Sequence, residues 1–286
     1  MIPAGRRFFK MSGSGNDFVF VDARTEPAEA LTHPEAIAEV CARGTGIGAD
    51  GIVLLERTPA ATVGIRYFNS DGSLASLCGN ATLCTTRLAV ELGAAPASGF
   101  TILTGSGIVG ARLRPDGQPE IDLQPVTELR PDAAIPLEPG EERIGFALVG
   151  VPHLTVRVDD VESVDVLGRG RALRRHPSLR QGANVNFVSP AGADGWRIRT
   201  YERGVEGETL ACGSGAVASA LLLTSWGAAA GPVRLRTRSG RTLEVRLARD
   251  DDGWRASLSG EGRIVFQGEF GELDAAARLN QAASPR

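Results

Sequence analysis

Two stretches of the chain share one pattern, CGNATLCTTRLAVELG from Cys78 to Gly93 and CGSGAVASALLLTSWG from Cys212 to Gly227. Each begins with Cys-Gly, continues with a small polar residue and a run of helix-forming apolar residues, and reaches a glycine fifteen positions after its cysteine. The pattern predicts two matched helices, each preceded directly by a cysteine. A repeated thiol in this position is the strongest indication of chemistry in the sequence.

The similarity between the two halves extends upstream of the helices. The segment RYFN (Arg66 to Asn69) resembles RTYE (Arg199 to Glu202), and their spacings to the following cysteine differ by one residue. Further back, NDFV (Asn16 to Val19) loosely resembles NVNFV (Asn184 to Val188). Three similar elements in the same order favour a duplicated half-molecule.

Composition limits the function classes. With 286 residues and 42% hydrophobic content, the chain has enough apolar material for one large core or two smaller ones, and the duplication favours two. A net charge of -3 and the lack of a basic stripe with interleaved aromatics argue against nucleic-acid binding. No apolar run approaches the roughly 18 residues of a membrane span, and the first residues lack a secretory signal, so we expect a cytoplasmic protein without a membrane partner.

The four cysteines are expected to be reduced thiols, because the chain is large for a disulfide framework and shows no export signal. No pair has C-x-x-C spacing, and the three histidines are far apart in sequence, so we expect no metal site. The two cysteines outside the repeat starts, Cys41 and Cys84, lie at helical apolar spacing and are expected in the core.

Short strands dominate the predicted elements, with a helix over His33 to Arg43 and an antiparallel meander from Val233 to Phe270. This is an α+β pattern, not a doubly wound one. Six prolines between Pro115 and Pro139 mark a boundary. We therefore predict two halves, 1–130 with the first repeated cysteine and 131–286 with the second, the last residues packing back on the first half.

A cysteine directly before a helix lies where backbone N–H groups and the helix dipole concentrate positive potential, which lowers a thiol pKa from about 8.5 toward neutrality. The same N–H groups are suited to binding a carboxylate. The predicted carboxylate-binding residues are Gly79, Asn80, Gly213 and Ser214.

Two such thiols suit proton transfer at a carbon next to a bound carboxylate. One thiolate removes the α-proton and the other thiol protonates the opposite face, so configuration inverts. No cofactor is needed, and no dinucleotide-binding fingerprint is present. The only lysine, Lys10, is better explained as a strand-edge residue than as a pyridoxal phosphate anchor. The alternatives are that the cysteines are small residues at tight turns or form a redox disulfide.

Six motifs in order carry a family resemblance. They are KMSGSGNDFVFVD (Lys10 to Asp22), GTGIGADG (Gly44 to Gly51), FNSDGSLASLCGN (Phe68 to Asn80), GVPH (Gly150 to His153), ANVNFV (Ala183 to Val188) and YERGVEGETLACGSG (Tyr201 to Gly215). The chain resembles the diaminopimelate epimerases, which are amino-acid epimerases of bacterial lysine and cell-wall synthesis that work without pyridoxal phosphate.

The resemblance implies two pseudo-symmetric α+β halves, each with a sheet wrapped around a helix, facing across a central cleft, in a homodimer. It implies diaminopimelate as the small-molecule substrate, no cofactor, and Cys78 and Cys212 as the catalytic acid-base pair. His153 and Glu202 are expected to assist catalysis. The substrate-binding residues that it implies are Asn16, Asn69, Gly79, Asn80, Asn184, Glu202, Arg203, Gly213 and Ser214.

The sequence also departs from the family pattern. Val151 stands where the family commonly has asparagine in Gly-Asn-Pro-His, which removes an amide used on the distal end of the substrate. A sister racemase acting on proline, hydroxyproline or histidine is therefore one alternative, and a non-catalytic amino-acid-binding protein is another. Arg203 and Glu202 favour a substrate with a second charged amino-acid end.

Overall fold

A computed structural model describes residues 5–76, 78–126, 128–251 and 253–271 of the chain. The strands are β1 (Arg7–Gly13), β2 (Asn16–Asp22), β3 (Gly51–Glu56), β4 (Val63–Asn69), β5 (Leu74–Ala75), β6 (Phe100–Thr104), β7 (Gly107–Leu113), β8 (Pro119–Asp122), β9 (Leu129–Arg130), β10 (Glu141–Val149), β11 (Val151–Val158), β12 (Asn184–Pro190), β13 (Trp196–Glu202), β14 (Gly207–Thr209), β15 (Val233–Arg236), β16 (Thr242–Asp250), β17 (Gly253–Ser259) and β18 (Arg263–Glu269). The α-helices are α1 (Pro34–Cys41), α2 (Gly79–Glu91), α3 (Val166–Arg174) and α4 (Gly213–Ser225).

This strand-rich content with few helices confirms the predicted α+β class. Contacts within the chain divide it into two compact units. The first runs to Leu113 and resumes at Gly262, so that it includes β18, and the second is Arg114–Glu261. The division falls before the proline-rich stretch and again near the end of the chain. No helix of the described residues is both long and apolar enough to cross a membrane.

The two units have the same topology. In the first, β1 and β2 form a hairpin, β2 pairs in parallel with β3, β3 is antiparallel to β4, and β4 pairs in parallel with β6, which is antiparallel to β7. In the second, β10, β11, β12, β13, β15 and β16 repeat these pairings in the same order. The duplication predicted from sequence is confirmed as a repeated fold.

The register corrects one of the predicted equivalences. The parallel pairs place Phe18 opposite Gly51 in the first unit and His153 opposite Asn184 in the second. Asn16 begins β2 and Val151 begins the corresponding strand β11, so the topological counterpart of Asn16 is Val151. The loose resemblance of NDFV to NVNFV therefore does not join equivalent strands, because NDFV lies on β2 and NVNFV lies on β12, the counterpart of β3.

Each repeated helix packs against the sheet of its own unit. Helix α4 contacts β10, β11, β12 and β16, and α2 contacts β1, β2, β7 and β18. Ten of the thirteen residues of α4 are buried, which fits a helix that is apolar on all sides and enclosed by sheet. In α2, three buried threonines direct their hydroxyls to the carbonyls four residues earlier, so their polarity is satisfied inside the core: Thr82, Thr85 and Thr86.

The C-terminal strands differ from the predicted meander. Strands β15, β16 and β17 do form one, but β17 continues to β8 and not to β18. Strand β18 pairs antiparallel with β1 of the first unit, through registers such as Phe8 with Gly268. The alternating sequence predicted the strands correctly, but it carries no information on which edge each strand joins.

Candidate active site

Cys78 and Cys212 have the same local backbone conformation. Each is the residue before a thirteen-residue helix, with φ and ψ of -132° and 115° for Cys78 and -135° and 111° for Cys212. Each carbonyl accepts the first helical hydrogen bond, at 2.9 Å in both cases. Both helices end alike, with a glycine at positive φ, 63° at Gly93 and 68° at Gly227, a conformation that glycine adopts without strain.

Neither cysteine side chain caps its helix, so the thiols do not occupy the N–H groups of the first turn. The first N–H groups of any α-helix lack partners within the helix and carry the positive end of its dipole. Cys78 is half-buried and Cys212 is 8% exposed. The Cys212 sulfur lies 3.6 Å from the Ser214 hydroxyl. Each helix start therefore combines a thiol with donors for an anion.

In the first unit, Asn16 is held at both ends of its amide. Its Nδ2 donates to Asp50 Oδ2 at 3.0 Å, and its Oδ1 accepts from Asn80 Nδ2 at 2.6 Å. Asn80 follows Gly79 in the first turn of α2, two residues after Cys78. These hydrogen bonds bring two predicted substrate-binding residues together beside the first repeated cysteine.

Asp50, the acceptor of the Asn16 amide, belongs to a cluster of charged residues. The carboxylate of Asp17 accepts from Lys10 Nζ at 2.6 Å and from Arg43 at 2.6 Å, and Arg43 also donates to Asp50 at 2.8 Å. Burial raises the pKa of Asp17, but the hydrogen bonds and charges of Arg43 and Lys10 outweigh it, and the net pKa is lowered. Lys10 is thus a buried structural cation on β1, in an ion pair and not at an exposed strand edge.

Asn69 lies at the end of β4, directly opposite Gly51 in the antiparallel register. Its Nδ2 donates to the Ser73 hydroxyl at 2.9 Å, and the next residue, Ser70, donates its N–H to the Asp50 carbonyl at 3.0 Å. Asp50 therefore links the strand end that carries Asn69 to the amide of Asn16.

In the second unit, Asn184 begins β12 and its Oδ1 accepts the backbone N–H of Arg203 at 2.7 Å. Arg203 follows Glu202 in the turn after β13, and both side chains are half-buried. The Arg203 guanidinium donates to the Gln181 carbonyl at 3.1 Å. Glu202 and Arg203 therefore lie at the end of β13 and the start of the following turn, and Asn184 lies on the neighbouring strand β12.

His153 is completely buried on β11, opposite Asn184 in the parallel pair. Burial, with a further contribution from the positive charge of Arg203, lowers the pKa of this imidazole to about 3. Its Nδ1 lies 3.3 Å from Asn186 Nδ2. The imidazole is therefore neutral throughout the physiological pH range.

Asn186 is a site residue that the sequence reasoning missed. It lies on β12 with no exposed surface, and a Cβ added to Gly215 in the first turn of α4 would come within 2.2 Å of its Oδ1 and 3.2 Å of the Cys212 sulfur. Asn186 therefore lies close to the second repeated cysteine. An NxN pattern on a strand was the available signal, since both amides of such a pattern project on one face.

The remaining thiols, Cys41 and Cys84, are buried in the core, and neither directly precedes a helix. None of the four cysteines forms a disulfide. Burial raises the pKa of Cys41 to about 12, as suits a core thiol. Cys84 is also fully buried, in the interior of α2. Both residues occupy the core positions predicted for them.

Comparison with known sequences identifies relatives over nearly the whole chain. A family model described as diaminopimelate epimerase matches residues 8–127 and 145–265. A diaminopimelate epimerase of Gemmatimonas aurantiaca is 52% identical over 277 residues, covering 93% of this chain and 99% of the relative. One of Aquifex aeolicus is 39% identical, covering 93% of this chain and 98% of the relative.

Solved structures show the same fold at low sequence identity. A phenazine biosynthesis protein of the PhzF family from Bacillus anthracis matches with a TM-score of 0.73 and 16% identity, over 93% of this chain and 98% of that one. A hydroxyproline epimerase from Agrobacterium vitis, solved with bound trans-4-hydroxy-L-proline, matches with a TM-score of 0.65 and 17% identity, over 93% of each chain. At these identities the likeness concerns the fold alone.

Proposed function

The chain belongs to the diaminopimelate epimerase family. We propose that it interconverts L,L- and meso-2,6-diaminopimelate, with Cys78 and Cys212 removing a proton from one face of the α-carbon and delivering a proton to the other. The observation that supports this most is the repetition of one arrangement, a cysteine directly before a thirteen-residue helix with the same φ and ψ, in both units. Inversion at a carbon needs one group to remove a proton and another to supply one, and the duplication provides two equivalent groups.

The proposed step balances without a co-reactant. A thiolate on one cysteine takes the α-proton, leaving the electron pair on the α-carbon and its carboxylate. The second cysteine, as the thiol, delivers its proton to the opposite face. The first residue is then a thiol and the second a thiolate, so the reverse reaction begins from the state that the forward reaction leaves.

The helix starts supply the electrostatic part of the reaction. The predicted carboxylate ligands are the first-turn N–H groups of α2 and α4, which lie at the positive ends of the helix dipoles. They donate hydrogen bonds to the carboxylate and do not transfer a proton. They stabilise the charge that develops on the carboxylate as the α-carbon loses its proton. The residues proposed for this role are Gly79, Asn80, Gly213 and Ser214.

The distal end of the substrate is assigned to charged groups of the second unit. We assign the distal carboxylate to the Arg203 guanidinium and the distal ammonium to Glu202, since a charge-assisted pair at each group suits a second amino-acid end. Asn16, Asn69 and Asn184 are proposed to orient the ligand. Each is already fixed by a hydrogen bond to its own unit, so little side-chain freedom is lost when substrate binds.

A racemase for proline, hydroxyproline or histidine is the competing assignment. Val151 keeps it open, since an apolar residue begins β11 where Asn16 begins the equivalent strand. Arg203 favours the diaminopimelate assignment, because proline, hydroxyproline and histidine have no second carboxylate for it to bind. The resemblance further suggests a homodimer in the cytoplasm that works without a cofactor.

The test is α-proton exchange in D2O. Purified reduced protein is incubated with L,L-diaminopimelate without added cofactor, and meso product and deuterium at the α-carbon are followed by NMR. Loss of either cysteine, in Cys78→Ala or Cys212→Ala, is expected to lower kcat by about a hundred- to ten-thousandfold, since each removes a general acid-base group. Cys41→Ala is the matched control and is expected to retain activity.

Three outcomes are distinguishable. Epimerisation lost in both variants supports the proposal. Exchange with proline, trans-4-hydroxyproline or histidine but not with diaminopimelate assigns the sister activity. Tight binding of diaminopimelate without exchange by the wild type would mean a non-catalytic binding protein.

A further inference from the structure

The hydrogen-bond partners of Asn186 fix which way round its amide lies. Its Nδ2 is 2.9 Å from the Leu154 carbonyl, which can only accept, and its Oδ1 is 3.0 Å from the Thr200 hydroxyl, which donates to it. A reversed amide would place its oxygen against the carbonyl oxygen of Leu154. The nitrogen of Asn186 is therefore the atom that faces His153 Nδ1, at 3.3 Å.

This orientation determines the tautomer of His153. An amide nitrogen has two hydrogens and no acceptor capacity, so Nδ1 must accept and the single ring proton must lie on Nε2. Among the described residues Nε2 has no hydrogen-bond partner, although the whole side chain is buried. A buried N–H without a partner is unfavourable, and an acceptor on a bound ligand would satisfy it.

We propose that Asn186 is a positioning residue which locks His153 as a neutral Nε2–H donor for a substrate carboxylate, so that His153 does not take up or release a proton in the reaction. The identity of that ligand rests on the proposed function. Both ring nitrogens are accounted for, because Nδ1 is occupied by Asn186 and Nε2 already carries its hydrogen. Proton transfer is left to the cysteines.

The positive charge of Arg203 is consistent with this assignment. It is close enough to His153 to oppose an imidazolium there, and a carboxylate attracted by Arg203 is an acceptor for an adjacent N–H. A neutral donor is compatible with that cation at every step, whereas a histidine that gained a proton would repel it.

The tautomer is measured directly by NMR on protein labelled with 15N in the imidazole rings. Wild type is expected to show one histidine with a protonated Nε2 and an unprotonated Nδ1, unchanged between pH 8 and pH 5. The signal is assigned by its loss in His153→Gln. A proton on Nδ1, or on both nitrogens at pH 7, would overturn the proposal.

Asn186→Asp reverses the polarity of the contact. A carboxylate can only accept, so the proton is expected on Nδ1 in this variant, and an unchanged Nε2–H signal would contradict the role given to Asn186. Thr200→Val is the matched control, because it removes the hydrogen bond to Asn186 Oδ1 and leaves the contact of Asn186 Nδ2 with His153. The tautomer of His153 in this variant is expected to match that in wild type.

Kinetics separate a donor from a base. In His153→Gln an amide N–H remains available, and we expect kcat/KM to stay within about tenfold of wild type. In His153→Leu the donor is lost, and KM is expected to rise about ten- to hundredfold with kcat little changed, as for binding that is equal in ground and transition states. Equal loss of kcat in both variants would indicate proton transfer by His153 and refute the proposal.

The two proposals fail in different ways. If the wild type does not exchange the α-proton of diaminopimelate, the proposed function is refuted, while the tautomer measurement, which needs no substrate, still decides the role of Asn186. If exchange occurs and the ring proton lies on Nδ1, the function stands and the positioning role is refuted.

Discussion

Replacing His153 changes how the free energy of unfolding depends on pH. In the folded chain, burial and then the charge of Arg203 lower the His153 pKa from 6.5 to about 3. Between those values the unfolded chain binds a proton that the folded chain does not, so stability falls as pH falls. One such proton corresponds to about 1.4 kcal/mol per pH unit, which gives about 2 kcal/mol between pH 8 and pH 5. That figure is insensitive to the folded pKa as long as it lies well below 5.

The assay is urea unfolding of wild type and His153→Gln at pH 8 and pH 5. Carboxylates titrate in both proteins, so the comparison between them isolates the histidine. We expect the loss of stability on acidification to be smaller in the variant by about 2 kcal/mol. His33→Gln is the control, since it removes a histidine that is exposed. Equal pH dependence in wild type and His153→Gln would refute the account of His153 as a buried neutral imidazole.

Two further predictions concern side chains near the helix starts, one through packing and one through a hydrogen bond. Helix propensity alone would make Gly215→Ala stabilising by about 1 kcal/mol, but the new Cβ would lie 2.2 Å from Asn186 Oδ1, so we expect destabilisation and loss of activity. Gly207→Ala, with nothing within 4 Å of the added Cβ, is the control. Thermal unfolding measures the stability of each variant, and the exchange assay measures its activity. Asp50→Ala removes the acceptor of Asn16 Nδ2, and we expect kcat/KM to fall about tenfold with the fold retained by circular dichroism; unchanged kinetics would mean that Asp50 does not position that amide.

The repeated helices could be predicted because their signal is local. Cys-Gly before an apolar run, with glycine fifteen residues after the cysteine, contains the whole helix and both its ends, and α2 and α4 follow it. Helix α1 was likewise predicted within two residues at either end, from the proline in its first turn. The alternation from Val233 to Phe270 is also a local pattern, and the strands β15 to β18 follow it.

Strand pairing could not be predicted, because it depends on contacts distant in sequence. The alternation around Phe266 predicts a strand but not that it pairs with β1 instead of β17. The resemblance of NDFV to NVNFV misled for the same reason, since the two short segments lie on non-equivalent strands, β2 and β12. Strand order and register were needed to show that Val151 is the counterpart of Asn16.

The roles of site residues divide in the same way. The cysteines were identifiable because two copies of one motif carry them. The NxN pattern could have placed Asn186 on the same face as Asn184, but its role could not be predicted, because that role depends on hydrogen bonds to Leu154 and Thr200 that orient its amide toward His153. Asp50 was overlooked for the same reason, although it lies within the motif GTGIGADG.

The most direct test of the two-thiol mechanism is the isotope content of the first meso-diaminopimelate formed from L,L-diaminopimelate in D2O. At low conversion, each new meso molecule should carry deuterium at the inverted carbon, while the remaining L,L-substrate keeps its hydrogen. One thiol removes the original hydrogen, and the other thiol, which has exchanged with D2O, delivers deuterium to the opposite face. Meso product that retains the original hydrogen at that carbon would show a single group working on both faces and would contradict the account.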